Sequence, residues 1–313
     1  MLSEYKDLLK NYLAMNVVEG EKTEMEKFPG AQNTYSLEIM MQDKKALQGG
    51  TSHFLGQNFS KSNNIKFTNR NAEEEFAWTT SWGVTTRLIG GIIMIHSDDD
   101  GLILPPRIAP SQVVILPIMH QKENEVIKYC NEIKDKIEEI KYYNSNIEVI
   151  IDTRDLRGGE KKWQWIKKGI PVILEIGPKD LEKKAITYQI RNEIEKKHNE
   201  NCEDFIRNIN VILDKLQDDL YQKALNFRDN NLVKIDNEKE FYEYFTPKNA
   251  SRPEIHGGFA YSHFSLDSDV EERIKKDLSV TVRCIPLEME NEEGICIFTK
   301  KKSKKRVIFA KAY

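Results

Sequence analysis

The sequence has few features of secreted or membrane proteins. Its four cysteines lie far apart and form no Cys-x-x-Cys pair, which predicts reduced thiols in a cytosolic protein rather than a disulfide framework. An apolar run at residues 88–95 is too short, and too interrupted by glycine, to span a membrane. The chain opens on no recognisable signal peptide. We therefore expect a soluble, cytoplasmic protein.

Neither sign of charge dominates the chain. Lys and Arg number 47 against 50 Asp and Glu, for a net charge of −3. This balance does not indicate a nucleic-acid-binding protein, although RNA contact needs only a local basic face. With 313 residues the chain is long enough for two or three domains.

Residues 47–61 are unusually rich in short polar side chains, which alternate with phenylalanine and leucine. Two adjacent glycines in this stretch allow the backbone to approach a ligand closely. An apolar wall with a few well-placed donors and acceptors is what a small-molecule pocket requires. By itself the stretch is equally compatible with an ordinary loop.

A second stretch of this kind follows at residues 81–107. Arg87 stands after two threonines and before a run of apolar residues punctuated by glycine. Taken alone, this stretch is as compatible with a buried helix as with a binding site.

Together the two stretches resemble class II prolyl-tRNA synthetases of the archaeal and eukaryotic type. Residues 50–61 match the family signature Gly-Thr-Ser-His-x-Leu-Gly-Gln-Asn-Phe-Ser-Lys. Residues 82–87 match the Trp-Gly-x-Thr-Thr-Arg core of motif 3, and residues 104–107 match its Leu-Pro-Pro-Arg end. Residues 22–28 and the last four residues agree in the same order, so the resemblance runs from about residue 15 to residue 313.

The resemblance implies an α/β (α+β) fold with three domains. Residues 1–108 would be the C-terminal part of the antiparallel-sheet catalytic domain, 109–228 an α/β anticodon-binding domain, and 229–313 a small α+β C-terminal module. Hydrophobic patterns support the second domain, since residues 112–118, 147–151 and 172–176 predict buried strands and residues 123–142 an amphipathic helix.

The activity implied is that of a proline–tRNA ligase, which activates proline with ATP and transfers it to tRNA-Pro. ATP would act with Mg²⁺, and the complete family enzyme is a homodimer. Arg87 matches the motif 3 arginine that contacts adenine and the phosphates, a role that suits a planar and permanently charged group. We therefore expect Arg87 to be catalytic, and the ATP-binding residues to be Gln48, Thr51, Thr85 and Arg87.

The proline pocket is expected at His53, which matches the family's pocket histidine. Ser81, Trp82 and Gly83 of motif 3 would complete it, because the five-membered ring needs an aromatic wall beside a small residue. A lone histidine is otherwise more often a hydrogen-bonded core residue.

In the middle domain the resemblance assigns anticodon contacts to Arg154, Lys161, Glu175, Lys179 and Asp180. The match is incomplete here: the family's Pro-Gly-Trp-Lys-Phe reads Gly-Gly-Glu-Lys-Lys at residues 158–162. RNA loops are recognised by stacking and by hydrogen bonds to base edges, so the lost aromatic residues weaken the expected contact. A purely structural α/β domain remains the alternative.

The C-terminal module departs from relatives that bind a structural zinc through four cysteines. It keeps Cys296 but has Thr299 at the partner position, and Tyr261-Ser262-His263 replaces Trp-Cys-Gly. One thiolate cannot form a tetrahedral site, so we expect no zinc. The basic residues of the 300–306 run could contact tRNA phosphates or form a solvated turn.

Motifs 1 and 2, which precede these blocks in relatives, do not occur in the 313 residues. The alternatives to a partial ligase are a non-catalytic accessory remnant that binds tRNA or a protein partner, and a paralogue that activates an amino acid for another pathway.

We predict that a polypeptide of these 313 residues does not form prolyl-adenylate, because motif 2 supplies a further arginine that holds the α-phosphate. The measurement is proline-dependent exchange of pyrophosphate into ATP. Turnover above the background of a proline-free control would contradict the prediction.

Overall fold

The computed structural model describes residues 1–118, 123–247, 257–288 and 292–313. The helices are α1 (Leu2–Asp7), α2 (Asn58–Ser62), α3 (Arg87–His96), α4 (Glu123–Glu138), α5 (Gly158–Lys168), α6 (Pro178–Lys183), α7 (Cys202–Asn230), α8 (Glu238–Phe245) and α9 (Ser268–Leu278), with a π-helical turn at Leu8–Tyr12 and a 3-10 turn at Arg191–Glu193. No helix in these ranges is both long enough and apolar enough to span a bilayer.

The strands alternate with these helices along the chain. They are β1 (Val17–Glu21), β2 (Asn33–Met40), β3 (Ala46–Gly56), β4 (Lys66–Thr68), β5 (Glu74–Phe76), β6 (Thr79–Gly83), β7 (Val113–Pro117), β8 (Lys141–Tyr142), β9 (Ser145–Asn146), β10 (Val149–Ile151), β11 (Val172–Ile176), β12 (Ala185–Ile190), β13 (His198–Asn201), β14 (Leu232–Lys234), β15 (Phe259–His263), β16 (Val280–Pro286), β17 (Gly294–Ile295), β18 (Lys302–Ser303) and β19 (Arg306–Lys311).

The chain divides into two compact units. The first contains Met1–Lys10, Met15–Gly91 and Ala224–Tyr313, and the second contains Asn11–Ala14 and Ile92–Lys223. In the first unit one eight-stranded sheet has the order β14-β15-β19-β16-β1-β2-β3-β6. Strands from the predicted catalytic part and from the predicted C-terminal module therefore belong to a single sheet, which joins where β1 pairs with β16.

A buried ion cluster lies beside this junction. The carboxylate of Glu38 on β2 is fully buried. It accepts hydrogen bonds from Lys22 Nζ at 2.8 Å and from Arg283 Nε on β16 at 3.0 Å. Ser36 donates its hydroxyl to the same carboxylate at 2.8 Å. Burial acts to raise the pKa of Glu38, but the charges of Lys22 and Arg283 outweigh it and hold that pKa below its ordinary value.

Helix α1 covers one face of the sheet beside β2 and β3. Tyr5 and Leu9, one turn apart, are both buried there. At the other end of the sheet, α8 and α9 pack over β15, β16 and β19 around an aromatic core. Phe241 lies at its centre, with ring centroids 5.0 Å from Phe245 and 5.0 Å from Phe309.

The second unit is built on a five-stranded sheet of order β10-β7-β11-β12-β13. Strands β10, β7 and β11 are parallel, and β12 and β13 continue the sheet in antiparallel fashion. Every residue of β7 is buried, as expected for a parallel strand covered on both faces. Helix α5 ends at Gly169, which adopts the left-handed conformation (φ 77°) that glycine tolerates best.

The predicted mixed α/β fold with an antiparallel-dominated catalytic part is confirmed, and the structure decides several local features that the sequence left open or missed. Residues 50–56, which were equally compatible with a loop, are part of β3, and Ile92–His96 belong to α3. Val17–Glu21 form a strand that the charged composition did not suggest, and β12 and β13 were not predicted. Ser3, a residue type that favours the N-cap position, lies inside α1, whose N-cap is Met1.

The division into 1–108, 109–228 and 229–313 stays a prediction. The two compact units group the first and third of these segments, whose strands share the eight-stranded sheet, and leave most of the second as a body of its own.

We predict that Glu271 makes the stability of the first unit depend on pH. Burial raises the pKa of this α9 carboxyl to about 7, while a hydrogen bond from the Thr23 hydroxyl at 3.1 Å opposes the rise. Between pH 4.5 and about 7 the folded chain therefore binds more protons than the unfolded chain, so stability falls as the pH rises through that window.

The measurement is the free energy of unfolding of wild type and Glu271→Gln between pH 4 and 8. In the wild type the free energy of unfolding should fall by about 2 kcal/mol as the pH rises through that window, less than the full pKa shift would give because solvent partly screens the carboxyl. Glu271→Gln should lack this fall. Glu272→Gln, at an exposed neighbouring carboxylate on the same helix, is the control and should leave the pH profile unchanged. A wild-type profile that coincides with that of Glu271→Gln would contradict the prediction.

Candidate functional site

A β-bulge places the predicted ATP and proline residues on one face of the sheet. Gly50 pairs with Leu37, but the next pair is Gln48 with Glu38, so Gly49 is an extra residue in β3. Side chains alternate between faces along a strand, and one inserted residue shifts that alternation. Gln48 therefore lies on the same face as Thr51 and His53, although the sequence spacing alone would separate them.

The glycine at the bulge is required by its surroundings. A Cβ at Gly49 would lie 2.7 Å from Ile39 Cδ1 and 3.0 Å from Leu9 Cδ1, both on the face that α1 covers. A larger residue would displace these core side chains. The bulge is thus maintained by packing on the side of the sheet opposite to the candidate site.

The register of β6 divides the motif 3 residues between the two faces. Ser81 pairs with His53 and Gly83 with Thr51, so both lie on the His53 face. Trp82 pairs with Ser52 and lies on the other face, where its ring is 5.8 Å from the ring of Tyr5. The structure therefore separates Trp82 from the other three predicted proline-binding residues, because neighbouring residues of a strand point in opposite directions.

His53 is held by its neighbours in a defined orientation. Its Nδ1 is 3.0 Å from the hydroxyl oxygen of Thr34, the residue opposite it on β2. The same oxygen accepts the backbone N–H of Phe28 at 3.1 Å, and the Phe28 ring lies 4.7 Å from the imidazole. Burial lowers the pKa of His53, so the ring is neutral at pH 7.

Thr85 and Arg87 lie where β6 leads into α3. Arg87 is the first residue of that helix, and its backbone N–H is 3.3 Å from the hydroxyl oxygen of Thr85. Its side chain is exposed. Arg87 is the fourth residue after Gly83, so their Cα atoms are at most about 14 Å apart. The helix therefore starts close to the end of the strand that carries Ser81 and Gly83.

In the second unit, three of the predicted anticodon residues line one cavity. Arg154, Lys161 and Glu175 belong to a cavity of about 400 Å³ next to the carboxyl ends of β7 and β11. Ligands of open parallel sheets commonly bind at such an edge. Arg154 is oriented by Asp152, with Nε–Oδ1 and Nη2–Oδ2 distances of 2.9 and 2.6 Å.

The side chains of these residues have different partners. Glu175 accepts contacts from Lys162 at 3.0 Å and Lys197 at 2.7 Å. Burial acts to raise the pKa of Glu175, but the two lysines outweigh it and lower that pKa. Lys161 is buried and donates to the Asp152 carbonyl at 3.2 Å.

Asp180 and Lys179 lie at the start of α6. Both carboxylate oxygens of Asp180 are engaged at this helix terminus, with the backbone N–H of Gly177 and the hydroxyl of Thr187, each at 3.0 Å. Lys179 is exposed. The structure thus gives Asp180 a capping role, and does not bring Lys179 and Asp180 into the lining of the cavity.

Sequence reasoning missed Thr34, Phe28 and Asp152. Thr34 and Phe28 surround His53, and Asp152 fixes both Arg154 and the indole N–H of Trp165, which it accepts at 2.8 Å. Phe28 belongs to a block that matches the family, which was a usable signal. The sequence carried no such signal for Thr34 or Asp152. The role of Thr34 depends on the register of β2 with β3, and that of Asp152 on the turn that follows β10.

The C-terminal module shows what surrounds Cys296. The buried thiol accepts the backbone N–H of Thr299 at 3.4 Å, and the neighbouring hydroxyls of Ser265 and Thr299 are 3.0 Å apart. Within the described ranges no group of three or more His, Cys, Asp or Glu side chains is arranged to hold a metal ion. The absence of zinc stays a prediction.

Comparison with known families agrees with both units. Residues 112–210 match a family profile described as "Anticodon binding domain", and residues 252–313 match one described as "Prolyl-tRNA synthetase, C-terminal". An anticodon-binding domain and an antiparallel sheet with a polar face, combined in one chain, indicate the class of the aminoacyl-tRNA synthetases.

Relatives identify the family within that class. The chain is 48% identical over 320 residues to proline–tRNA ligase 2 of Anaeromyxobacter dehalogenans and 48% identical over 314 residues to proline–tRNA ligase of Rhodopirellula baltica. Each alignment covers 100% of this chain and 62% and 61% of the respective relative. The chain belongs to the prolyl-tRNA synthetase family, and it spans about three fifths of the length of these relatives.

Solved structures agree with this assignment. Prolyl-tRNA synthetase from Cryptosporidium parvum in complex with L-proline and AMP superimposes with a TM-score of 0.88 at 32% identity, covering 100% of this chain and 65% of that chain. The same enzyme with halofuginone and AMPPNP gives a TM-score of 0.89, covering 62% of that chain.

We predict that the imidazole of His53 titrates below its ordinary pKa near 6.5 because burial disfavours the charged ring. The measurement is an NMR pH titration of the imidazole resonances. His96, whose burial lowers its pKa to about 4, should titrate lower still.

In denaturant both rings should return to about 6.5, the value for an exposed imidazole. A His53 midpoint at or above that value in the folded chain would contradict the prediction.

Proposed function

We propose that the chain carries part of the active site, and the anticodon-binding domain, of a proline–tRNA ligase of the archaeal and eukaryotic type. The reaction is ATP-dependent activation of proline followed by transfer to tRNA-Pro, in the cytoplasm. The observation that supports it best is the shared face of β3 and β6, on which Gln48, Thr51, His53, Ser81 and Gly83 lie together. Arg87 begins the helix that follows directly.

In the first step the proline carboxylate attacks the α-phosphate of ATP, and pyrophosphate leaves. Positioning and positive charge lower this barrier, and no general base is needed for a carboxylate nucleophile. Arg87 supplies a guanidinium for adenine or phosphate, and Gln48, Thr51 and Thr85 supply hydrogen-bonding groups. Mg²⁺ would be held mainly by the phosphates and by water, as is usual for this ion.

The proline end of the site is expected around His53. A neutral imidazole does not repel the secondary ammonium of proline, whereas a protonated one would. The lowered pKa of His53 therefore suits this substrate. Phe28, whose ring centroid is 4.7 Å from that of the imidazole, can provide an apolar wall for the five-membered ring. Trp82, on the opposite face, is removed from the proposed pocket.

The second unit would hold the anticodon loop at its 400 Å³ cavity. Arg154 is the residue best placed to contact a base, because Asp152 fixes its guanidinium plane. Glu175 can accept hydrogen bonds from a base edge. Lys161 donates to the Asp152 carbonyl and shapes the cavity edge. Asp180 caps α6 outside the cavity lining, and the exposed Lys179 beside it would reach a tRNA phosphate from there. Assembly as a homodimer is part of the proposal, by analogy with the family.

The proposal predicts selective effects of substitutions on ligand binding. A non-hydrolysable sulfamoyl analogue of prolyl-adenylate should raise the melting temperature of the chain. His53→Ala and Arg87→Ala should each weaken binding at least about tenfold, because each removes a group aimed at the ligand. The measurement is a thermal-shift titration, confirmed by calorimetry.

Trp82→Ala is the matched control, since it changes a large side chain on β6, the strand next to that of His53, on the other face of the sheet. Its ligand-induced shift should equal that of the wild type even if its unliganded stability falls. Loss of binding in Trp82→Ala with retention in His53→Ala would refute the proposed face. Binding of tRNA-Pro without any binding of the analogue would favour the accessory remnant.

A further inference from the structure

The basic run at residues 300–306 is divided by the fold into two sets of three side chains. One set is engaged within the protein. Lys300 Nζ donates to the Ile297 carbonyl at 2.8 Å, and Lys301 Nζ is 3.3 Å from Asp267. Arg306 is buried between carboxylates, including Glu292, whose Oε2 lies 2.9 Å from its Nε.

The other set lines a cavity. Lys302, Lys304 and Lys305 are exposed, and they border a cavity of about 320 Å³ whose floor includes Ile285 and Val307. None of the residues that line it in the described part of the chain is acidic. Three lysines therefore border one concave surface, and no carboxylate is among its described lining residues.

The backbone that carries these lysines is fixed. Ser303, between them, is buried, and its hydroxyl lies 2.9 Å from the Phe264 carbonyl and 2.7 Å from the Lys305 carbonyl. Strand β18 also pairs with β17, with Ile295 opposite Lys302. The backbone positions of the three lysines are thus fixed relative to one another before any ligand arrives, which reduces the backbone entropy lost on binding.

From this arrangement we infer that the cavity is a second RNA contact, at which Lys302, Lys304 and Lys305 bind phosphates of the tRNA backbone. Lysine acts on phosphate as a compact point charge, and its aliphatic stem can lie along the apolar floor. The inference rests on the proposed function: the same chain contains an anticodon-binding domain, so tRNA is the polyanion that we expect to reach this cavity. The contact adds affinity and orientation, not recognition of bases.

The test is the salt dependence of tRNA-Pro binding by the full 313-residue chain. Each phosphate contact contributes about 0.7 to 0.9 to the slope of log K against log salt concentration. The triple variant Lys302→Gln, Lys304→Gln, Lys305→Gln should lower the magnitude of the slope by about 2 to 3 and weaken binding on the order of 10- to 100-fold at moderate salt. Glutamine keeps most of the stem, so the hairpin should stay folded.

The matched control removes three positive charges elsewhere on the same module. Lys239, Lys275 and Lys276 are exposed on α8 and α9, and their replacement by glutamine changes the net charge equally. The control should retain the wild-type slope within about 1 unit, the size of a single contact. If the two triple variants have equal slopes of log K against log salt concentration, only a long-range effect of net charge is present. That result would refute phosphate binding by the cavity lysines.

A second arm separates RNA from free phosphate. Pyrophosphate binding is measured by calorimetry for wild type and for the cavity variant. If the cavity substitutions abolish pyrophosphate binding but leave the tRNA slope unchanged, the site takes free phosphate and the inference is wrong. If the unsubstituted chain binds no tRNA, the proposed function fails together with the inference. If tRNA binds with an unchanged slope, the inference alone fails.

Discussion

The candidate binding face depends on one buried carboxylate. Glu38 is enclosed between Lys22 and Arg283, and on its strand it directly faces Gln48 across the bulge. Charges buried this completely are tolerated only as a fully paired set, and removal of one partner typically costs about 3–5 kcal/mol. Arg283 comes from β16, so the cluster fastens the C-terminal strands to those that carry the site. The shared sheet gives the C-terminal module a structural role at the candidate binding face.

A single extra residue decides which side chains share that face. Without the bulge at Gly49, Gln48 would point toward α1 and away from His53. The same alternation assigns Ser81 and Gly83 to the site and Trp82 to the other side. The motif is thus not one contiguous binding surface. Residues of the candidate binding face alternate with residues that pack on Tyr5 or lie under α1.

Hydrogen bonds and ion pairs within the protein also distinguish charged side chains that stabilise the fold from those that remain exposed to a ligand. In the second unit Lys161 and Asp180 satisfy backbone groups, while Arg154 is oriented by Asp152 toward a cavity. The basic run of the C-terminal module shows the same division between engaged and exposed cations. In both places a cation next to a carboxylate is neutralised or oriented, and one without such a neighbour is left for a ligand.

The sequence by itself determined the family, the mixed fold and most regular elements, because hydrophobic period and short polar blocks are local properties. Strand β11 was predicted correctly for that reason. Strands β12 and β13 were missed, since their neighbours are rich in Lys and Glu and their pairing is not local. Only the tertiary structure could decide the register at Gly49, the face of Trp82, and the pairing of Glu38 with Arg283 across 245 positions. These depend on which distant strands meet, and no local pattern encodes that choice.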